Sequence, residues 1–345
     1  MKEQFINKVC GNMTGIIDEN QLLYLKNVMY SHLDYYNITS QKNEVAHYTN
    51  DDEIINMFIV AKKIDGLSDR SLKNYSSTLK KYLHMYIQKP VSMFTKDDLR
   101  MHFARRMIDN PQISKCYINI ERRIFSSFFS WLTINEYIQK NPMVAVKNIK
   151  VDKVIKEPYT EREIEKMRDY LTGEIRKHKT KNNRWLKCVR DLAIFEFLLS
   201  TGCRVSELTG AKLSDLSLKN KECKVFGKGS KERVCYLNEL ATIRLEEWFE
   251  ARGEDGTPYV FVGTDNRRMK LEVSGVGTMV RAIGKKVGVK AHPHKFRRTC
   301  ATTLLNKGMP IEQVKIVLGH NQIDTTLIYA QTNKKTVKLN HEKYM

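Results

Sequence analysis

The chain has 345 residues, of which 41% are hydrophobic, and its 59 Lys and Arg against 39 Asp and Glu give a formal net charge of +20. This length suggests about two domains. No run approaches the roughly 20 apolar residues that a membrane helix needs. The polar opening Met1-Lys2-Glu3-Gln4 is not a secretory signal peptide, so no membrane partner is expected.

The seven cysteines are scattered along the chain, their number is odd, and no Cys-x-x-Cys pair occurs. This pattern indicates reduced thiols in a cytoplasm and excludes a disulfide framework and a zinc site. The cysteines are Cys10, Cys116, Cys188, Cys203, Cys223, Cys235 and Cys300.

The positive charge is distributed unevenly. Residues 1–50 hold 4 Lys and Arg against 5 Asp and Glu, residues 51–150 hold 17 against 10, and residues 151–345 hold 38 against 24. Such a surplus favours a polyanion as partner, because cations neutralise phosphates and release counterions. The alternative is a solvated, merely basic surface. We expect nucleic acid to lie against the last two regions and not against the first.

Residues 1–50 are predicted to form one amphipathic helix over 18–36, followed by a polar linker over 40–50. The helix carries apolar side chains at helical spacing. An isolated amphipathic helix must dock on its own chain or on a neighbour's. The apolar positions are Leu22, Leu25, Met29 and Leu33.

Residues 51–148 are predicted to form four helices, over 51–63, 68–88, 95–110 and 114–135. Prolines separate these units, and Thr95-Lys96-Asp97-Asp98 is an acidic variant of the capping box. Basic side chains between the apolar positions are candidates for a phosphate-facing surface, although each alone is more often a plain solvated charge. They are Lys73, Lys80, Lys81, Arg105, Arg106, Lys115, Arg122 and Arg123.

Residues 147–157 are polar and basic and are interpreted as a linker to a region over 158–345. A capping box, Thr160-Glu161-Arg162-Glu163, opens this region. Its patterns predict mainly helices with a small β-sheet. Helices are expected over 186–200, 204–213, 238–250, 274–287, 293–307, 310–318 and 325–333, two strands within 224–237, and a short strand over 259–262.

A phenol, Tyr329, stands near the end of this region. Taken alone, a tyrosine near a helix start is more often a packing residue whose hydroxyl is hydrogen-bonded. Tyr329 is a candidate nucleophile because of the cations and histidines that precede it in the sequence. These follow one another in the order Arg204, Lys228, His294, Arg297, His320. A nucleophile with several cations is suited to attacking a phosphodiester without a metal or other cofactor.

Two parts of this set have local support. Arg204 precedes Glu207 by three residues, so that the carboxylate can hold the guanidinium in place; the alternative is a surface salt bridge of little worth. His294 and Arg297 are three residues apart and share one face of a predicted helix, where both reach a single phosphate. A His-x-x-Arg pair on its own also occurs by chance.

The other two candidates depend on glycines. Lys228 lies between Gly227 and Gly229 at a predicted hairpin tip, where glycines allow close approach to a ligand; the alternative is an ordinary basic turn. His320 follows Gly319 at a predicted helix end, where the alternative is a capping or packing histidine.

In this order the residues resemble the tyrosine recombinase (phage integrase) family. The resemblance covers roughly residues 51–345 and is highly specific in 160–330. At one position the chain departs from the family, in which a histidine often follows the second arginine, since Arg298 stands there. The segments that carry the resemblance are Thr201-Gly202-Cys203-Arg204-Val205-Ser206-Glu207-Leu208, Gly227-Lys228-Gly229-Ser230-Lys231-Glu232-Arg233, His294-Lys295-Phe296-Arg297, Leu318-Gly319-His320 and Thr325-Thr326-Leu327-Ile328-Tyr329.

The resemblance implies that Tyr329 attacks the scissile phosphate, forms a 3′-phosphotyrosyl link and releases a 5′-hydroxyl. Arg204 and Arg297 are then expected to bind the non-bridging oxygens. A phenol, with an ordinary pKa of about 10, needs activation near neutral pH. The covalent link conserves the phosphodiester bond energy, so that resealing needs no ATP and no metal.

The resemblance also implies roles for the remaining three residues. His320 donates a hydrogen bond to the same phosphate, Lys228 protonates the leaving 5′-oxygen, and His294 assists proton transfer at the tyrosine.

The resemblance further implies a two-lobed clamp on double-stranded DNA. Residues 51–148 correspond to a helical, SAM-like core-binding domain and residues 158–345 to the catalytic domain. The protein is then expected in the bacterial nucleoid, as a tetramer on recombination sites, in the integration, excision or inversion of a mobile element. An accessory excision or DNA-bending factor is a further candidate partner.

Two alternatives stay open at this point. A type IB topoisomerase uses similar chemistry but relaxes supercoils without paired sites. A non-catalytic DNA-binding protein would keep the fold without the reaction, although a decayed site is expected to lose at least one of the six residues.

Overall fold

The computed structural model describes residues 2–33, 51–86, 90–151, 156–178, 180–227, 232–265, 267–319, 326–327 and 342. The chain divides into two compact units, Met1–Asp152 and Lys153–Met345. Across the described ranges the structure is mainly helical with one small antiparallel sheet, which confirms the expected fold class. None of the helices in these ranges has the length and apolar character that a bilayer crossing requires.

The first unit begins with two helices, α1 (Lys2–Met13) and α2 (Glu19–Leu33). A reciprocal cap starts α2, since the Asp18 carboxylate accepts from the Gln21 amide at 2.8 Å and the Gln21 side chain accepts from the Asp18 amide at 3.2 Å. The sequence predicted α2 but missed α1, whose Gly11 lowers its helix propensity. Residues 34–36 and the predicted linker at 40–50 lie outside the described residues.

Four further helices in this unit confirm the four predicted from the sequence. Aromatic side chains form the core between them, and Phe58, Phe125, Phe128 and Phe129 are fully buried. The helices are α3 (Asp51–Ile64), α4 (Asp69–Tyr86), α5 (Lys96–Asp109) and α6 (Lys115–Ile134). The acidic capping box is also present, because the Asp98 carboxylate accepts from the Thr95 amide at 2.7 Å while the Thr95 hydroxyl accepts from the Asp98 amide at 3.3 Å.

Arg106 corrects the list of surface cations. Its side chain is buried on α5 and pairs with the buried carboxylate of Glu121 on α6, with Nη2–Oε1 at 2.7 Å and Nε–Oε2 at 3.3 Å. Arg122 is also only partly available to a phosphate, because its Nε donates to the Val146 carbonyl at 2.6 Å. Lys80 is half-buried and lies 3.7 Å from the Asp52 carboxylate. The cations that remain exposed are Lys73, Lys81, Arg105, Lys115 and Arg123.

The second unit packs around one central helix. The helix α8 is buried along most of its length, and α7, α10 and α12 pack against it. The helices of this unit are α7 (Glu161–Lys177), α8 (Asn183–Thr201), α9 (Val205–Gly210), α10 (Glu239–Arg252), α11 (Val273–Val287), α12 (Pro293–Asn306) and α13 (Ile311–Leu318). The helix predicted over 204–213 ends earlier, at Gly210. Most of the helix predicted over 325–333 lies outside the described residues.

The sheet of this unit has the order β1-β2-β3, with β1 (Leu216–Ser217), β2 (Glu222–Phe226) and β3 (Glu232–Tyr236) antiparallel to their neighbours. The sequence predicted β2 and β3 but not the two-residue β1. The strand predicted over 259–262 is wrong. Tyr259 and Val262 form isolated bridges to two different segments, at Lys212 and Lys270, so no continuous ladder develops.

The pair between Arg106 and Glu121 leads to a first prediction. Glu121→Ala removes the carboxylate that pairs with a buried guanidinium at 2.7 Å, and we expect the free energy of unfolding of the first unit to fall by about 3–5 kcal/mol. Chemical unfolding of the full chain measures the loss, and hydrogen exchange should show faster exchange in α5 and α6.

The matched control for this prediction is Asp97→Ala, which breaks the exposed pair between Asp97 and Arg100 on the same helix. Exposed pairs contribute at most about 1 kcal/mol, so this variant should unfold close to the unsubstituted chain. Equal losses in the two variants would contradict the assignment of Arg106 to the core.

Candidate active site

The end of the central helix α8 is shaped by a glycine. Gly202 has φ 55° and ψ 22°, the left-handed conformation that favours glycine, and its amide donates to the Leu198 carbonyl at 3.1 Å. A Cβ at this position would lie 3.0 Å from Leu318 Cδ2 and 3.1 Å from Cys300 Cβ. The glycine therefore allows both the sharp turn and the close approach of α12 and α13, and it brings Arg204 to the start of α9.

Arg204 is held by Glu207, as the three-residue spacing predicted. The Glu207 carboxylate accepts from the Arg204 amide at 2.7 Å and from Nη1 of its guanidinium at 2.7 Å. The Arg204 side chain remains 39% exposed, whereas the Glu207 side chain is 0% exposed. Glu207 thus fixes the orientation of the Arg204 guanidinium, and solvent still reaches the Arg204 side chain.

A second arginine, Arg233 on β3, pairs with the same Glu207 carboxylate. The sequence did not identify Arg233 as a site residue. Its Nη2 lies 2.7 Å from Glu207 Oε2, and its Nη1 donates to the Val317 carbonyl at the end of α13. Burial alone would raise the pKa of Glu207, but the hydrogen bonds from Arg233 and from the Arg204 amide, with the charge of Arg233, lower it. The carboxylate is therefore ionised.

The helix α12 carries Arg297, which is buried. Its Nη1 donates to the Gly202 carbonyl at 3.0 Å and its Nη2 to the Leu318 carbonyl at 2.5 Å. These two carbonyls lie at the ends of α8 and α13. Helix C-termini carry partial negative charge that favours cations, so the fold orients this guanidinium without any ligand.

His294 lies on the same helix, one turn before Arg297, and its amide donates to Nδ1 of His292, the N-cap residue, at 3.2 Å. Partial desolvation of the ring, and then electrostatic interactions with His292, Arg297 and Arg204, lower the pKa of His294 below its usual value. Arg297 lies on the same helix, and its guanidinium reaches the Gly202 carbonyl two residues before Arg204, so the structure brings His294, Arg297 and Arg204 into one cluster.

Three of the six candidate residues, Lys228, His320 and Tyr329, lie outside the described residues. The described chain adjoins each of them. Lys228 belongs to the connection between β2 and β3, and Gly319, with φ 64°, ends α13 directly before His320.

The described part of the cluster combines the guanidiniums of Arg204, Arg233 and Arg297 with the single carboxylate of Glu207. This surplus of positive charge suits a bound anion. Nearby thiols do not supply a nucleophile, because burial raises the pKa of Cys235 to about 12 and of Cys300 to about 11. Within the described ranges, no group of three or more His, Cys, Asp and Glu side chains is arranged to hold a metal ion.

Comparison with known proteins gives a consistent result. Residues 179–336 match the Phage integrase family, and residues 54–139 match the Phage integrase, N-terminal SAM-like domain. Tyrosine recombinase XerC of Leptospira interrogans is 30% identical over 295 residues, which cover 83% of this chain and 91% of that protein.

Two solved structures share the fold. The Tn1549 transposon integrase, in complex with a circular intermediate DNA, is matched with a TM-score of 0.66 and 19% identity over 85% of this chain and 99% of that one. The XerH site-specific recombinase, bound to a palindromic difH substrate, is matched with a TM-score of 0.65 and 18% identity over 99% of this chain and 94% of that one.

The lowered pKa of His294 leads to a second prediction. In an NMR titration the imidazole should lose its proton below the pH of about 6.5 that is usual for histidine. Arg298→Gln removes one of the charges that act on His294, and its midpoint should move up towards that value. Arg267→Gln, which removes an exposed charge that does not contribute, should leave the midpoint unchanged. A midpoint above 6.5 in the unsubstituted protein would contradict the described environment.

Proposed function

We propose that this chain, which belongs to the tyrosine recombinase family and is a site-specific DNA recombinase, uses the cluster of Arg204, His294 and Arg297 to receive the scissile phosphate for attack by Tyr329. The observation that carries this assignment is the buried Glu207 carboxylate, which orients Arg204 while leaving it accessible. A preorganised cation of this kind stabilises charge that develops only in the transition state.

In the proposed cleavage step one bond to phosphorus forms as another breaks. The Tyr329 oxygen bonds to phosphorus, the bond from phosphorus to the 5′-oxygen breaks, and a 3′-phosphotyrosyl link and a 5′-hydroxyl result. Arg204 and Arg297 bind the non-bridging oxygens of the pentacoordinate phosphorus. Religation reverses these bond changes with a 5′-hydroxyl as the nucleophile, so that no bond energy is dissipated.

The proton transfers are assigned to the remaining residues. His294 takes the proton of the Tyr329 hydroxyl, which its lowered pKa supports, because the imidazole is neutral near pH 7. Lys228 gives a proton to the leaving 5′-oxygen, and His320 donates a hydrogen bond to the phosphate. In support of the last two, Lys228 belongs to the connection between β2 and β3, the strand that carries Arg233, and His320 follows Gly319 at the end of α13, whose last carbonyls accept from Arg233 and Arg297.

DNA binding is assigned to both units. Residues 51–148 form the core-binding domain in this proposal, and residues 158–345 the catalytic domain, and each of them contacts the duplex. The exposed cations of the first unit and the net charge of +20 support this. The Tn1549 integrase and the XerH recombinase, which share the fold, were both solved in complex with DNA.

Assembly and biological setting extend the same proposal. The protein acts as a tetramer on recombination sites of a mobile element, in the bacterial nucleoid, with an accessory excision or DNA-bending factor as a further partner. The topoisomerase and the non-catalytic alternative are not favoured, since XerC and the other curated relatives are named as tyrosine recombinases.

A third prediction concerns the nucleophile. Tyr329→Phe removes the hydroxyl that attacks phosphorus, so the variant should bind target DNA with unchanged affinity and form no covalent adduct. The measurement is a nicked suicide substrate, on which the unsubstituted chain should yield a detergent-resistant, protease-sensitive species. A covalent adduct with Tyr329→Phe would refute the assignment.

A plasmid that lacks any target site should not be relaxed by the unsubstituted chain. Relaxation of such a plasmid would favour the topoisomerase.

A fourth prediction concerns the exposed cations of the first unit. Arg105→Gln combined with Lys115→Gln should lower the slope of the logarithm of DNA affinity against the logarithm of salt concentration by about 0.9 for each phosphate that is no longer neutralised. Target and non-target DNA should be affected alike, because cations that pair with phosphates carry no sequence information.

The matched control is Lys8→Gln, an exposed lysine of the near-neutral segment over residues 1–50. It should leave the salt slope unchanged. An equal effect of Lys8→Gln, or no effect of the Arg105 and Lys115 substitutions, would count against a DNA-facing surface on α5 and α6.

A further inference from the structure

We propose that Arg233 is a positioning residue for DNA cleavage, because its one guanidinium fixes both the carboxylate that orients Arg204 and the end of the helix that leads to His320. This inference rests on the roles proposed above for Arg204 and Tyr329, and it adds a residue that neither the family comparison nor the sequence analysis assigns to the reaction.

The first contact joins Arg233 to the support of Arg204. Glu207 offers Oε1 to the guanidinium of Arg204 and Oε2 to its amide, each at 2.7 Å, and Nη2 of Arg233 lies 2.7 Å from the same Oε2. The Glu207 side chain is fully buried, so water does not replace a missing partner. The orientation of Arg204 therefore depends on Arg233, although the two arginines need not touch.

The second contact joins Arg233 to α13. Its Nη1 donates to the Val317 carbonyl, and the next carbonyl, Leu318, accepts from Arg297 at 2.5 Å. The last carbonyls of a helix have no partner within the helix, and here two guanidiniums from different elements satisfy two consecutive ones. A side chain at Gly319 would collide with Cδ of Arg233. The exit of the chain towards His320 is thus packed directly on Arg233.

The third link is the hairpin of β2 and β3. Arg233 is on β3 and pairs with Val225 on β2, and the connection between these strands carries Lys228. One side chain therefore connects the start of α9, which carries Arg204, with the end of α13 and with the β2–β3 hairpin. A planar guanidinium serves two separate acceptors at once, whereas a lysine ammonium is a point charge on a flexible stem. Lysine at this position would keep the charge but not the fixed geometry.

The Arg233 side chain is only 10% exposed, and both ends of its guanidinium are engaged by Glu207 and Val317. In this proposal Arg233 acts through these two groups. A purely structural role would make the loss of Arg233 equally harmful to every reaction of the site. A positioning role makes the loss specific to reactions that need the charge of Arg204.

The experiment compares Arg233→Lys with the unsubstituted chain in single-turnover cleavage of a suicide substrate. Two versions of the scissile linkage are used, an ordinary phosphate and a methylphosphonate, in which a methyl group replaces one charged oxygen. On phosphate we expect the rate of covalent adduct formation to fall by about 10- to 100-fold, with DNA affinity unchanged, because small misplacements of a catalytic group have effects of this size.

On the methylphosphonate the same substitution should reduce the rate by less than about threefold, because the neutral linkage develops less of the charge that Arg204 stabilises. The matched control is Arg168→Lys, since Arg168 also pairs with a buried carboxylate, that of Glu196, at 2.6 and 3.1 Å, elsewhere in the same unit. This control should cleave both substrates at close to the unsubstituted rate.

Equal losses on the two linkages, or no loss on phosphate, would overturn the proposal. If Arg233→Lys does not fold, Arg233→Gln, which retains a donor but no charge, is measured in the same way; failure of both variants to fold would assign Arg233 to folding alone and also overturn it. A failure of the unsubstituted chain to form any adduct would instead refute the roles proposed for Arg204 and Tyr329, so the two failures are distinguishable.

Discussion

A buried carboxylate, that of Glu207, lies between two guanidiniums and connects parts of the chain that are distant in sequence. Arg204 precedes it by one helical turn, while Arg233 comes from the sheet, 26 residues further on. A buried charge is stable only when it is paired and hydrogen-bonded, so the positions of these three side chains depend on one another. Because Arg233 also reaches α13, the ion pair fixes the elements around the site as well as the cation at its centre.

The same region must keep several positive charges together when no phosphate is bound. Glu207 offsets part of the repulsion, and backbone carbonyls offset more. Arg297 donates to the carbonyls of Gly202 and Leu318, and Arg233 to that of Val317, all three near the C-terminal ends of helices. These ends carry partial negative charge. The helix ends thus stabilise the cations before DNA arrives, while the Arg204 side chain stays accessible.

The sequence predicted what depends on near neighbours. Apolar periodicity and capping residues located the helices α3 to α6, and the spacing of Arg204 and Glu207 indicated their contact. The errors involve contacts between distant residues or weak local signals. Arg106 looked like a surface cation because its partner, Glu121, lies on another helix. Arg233 was missed as a site residue for the same reason. Tyr259 and Val262 have strand propensity, but their partners lie on separate segments, so no strand forms. The helix α1 was missed because it carries a glycine in its interior.

The arginines also affect proton transfer. Partial desolvation, and then electrostatic interactions with His292, Arg297 and Arg204, lower the pKa of His294, so the imidazole is neutral and able to accept a proton. In the proposed reaction negative charge builds up on the phosphate oxygens beside these arginines. Negative charge near an imidazole favours its protonated form, so the affinity of His294 for a proton rises as the tyrosine attacks. The negative charge that builds up on the phosphate as the new bond forms therefore opposes the effect of the arginines and makes transfer of the Tyr329 proton to His294 more favourable.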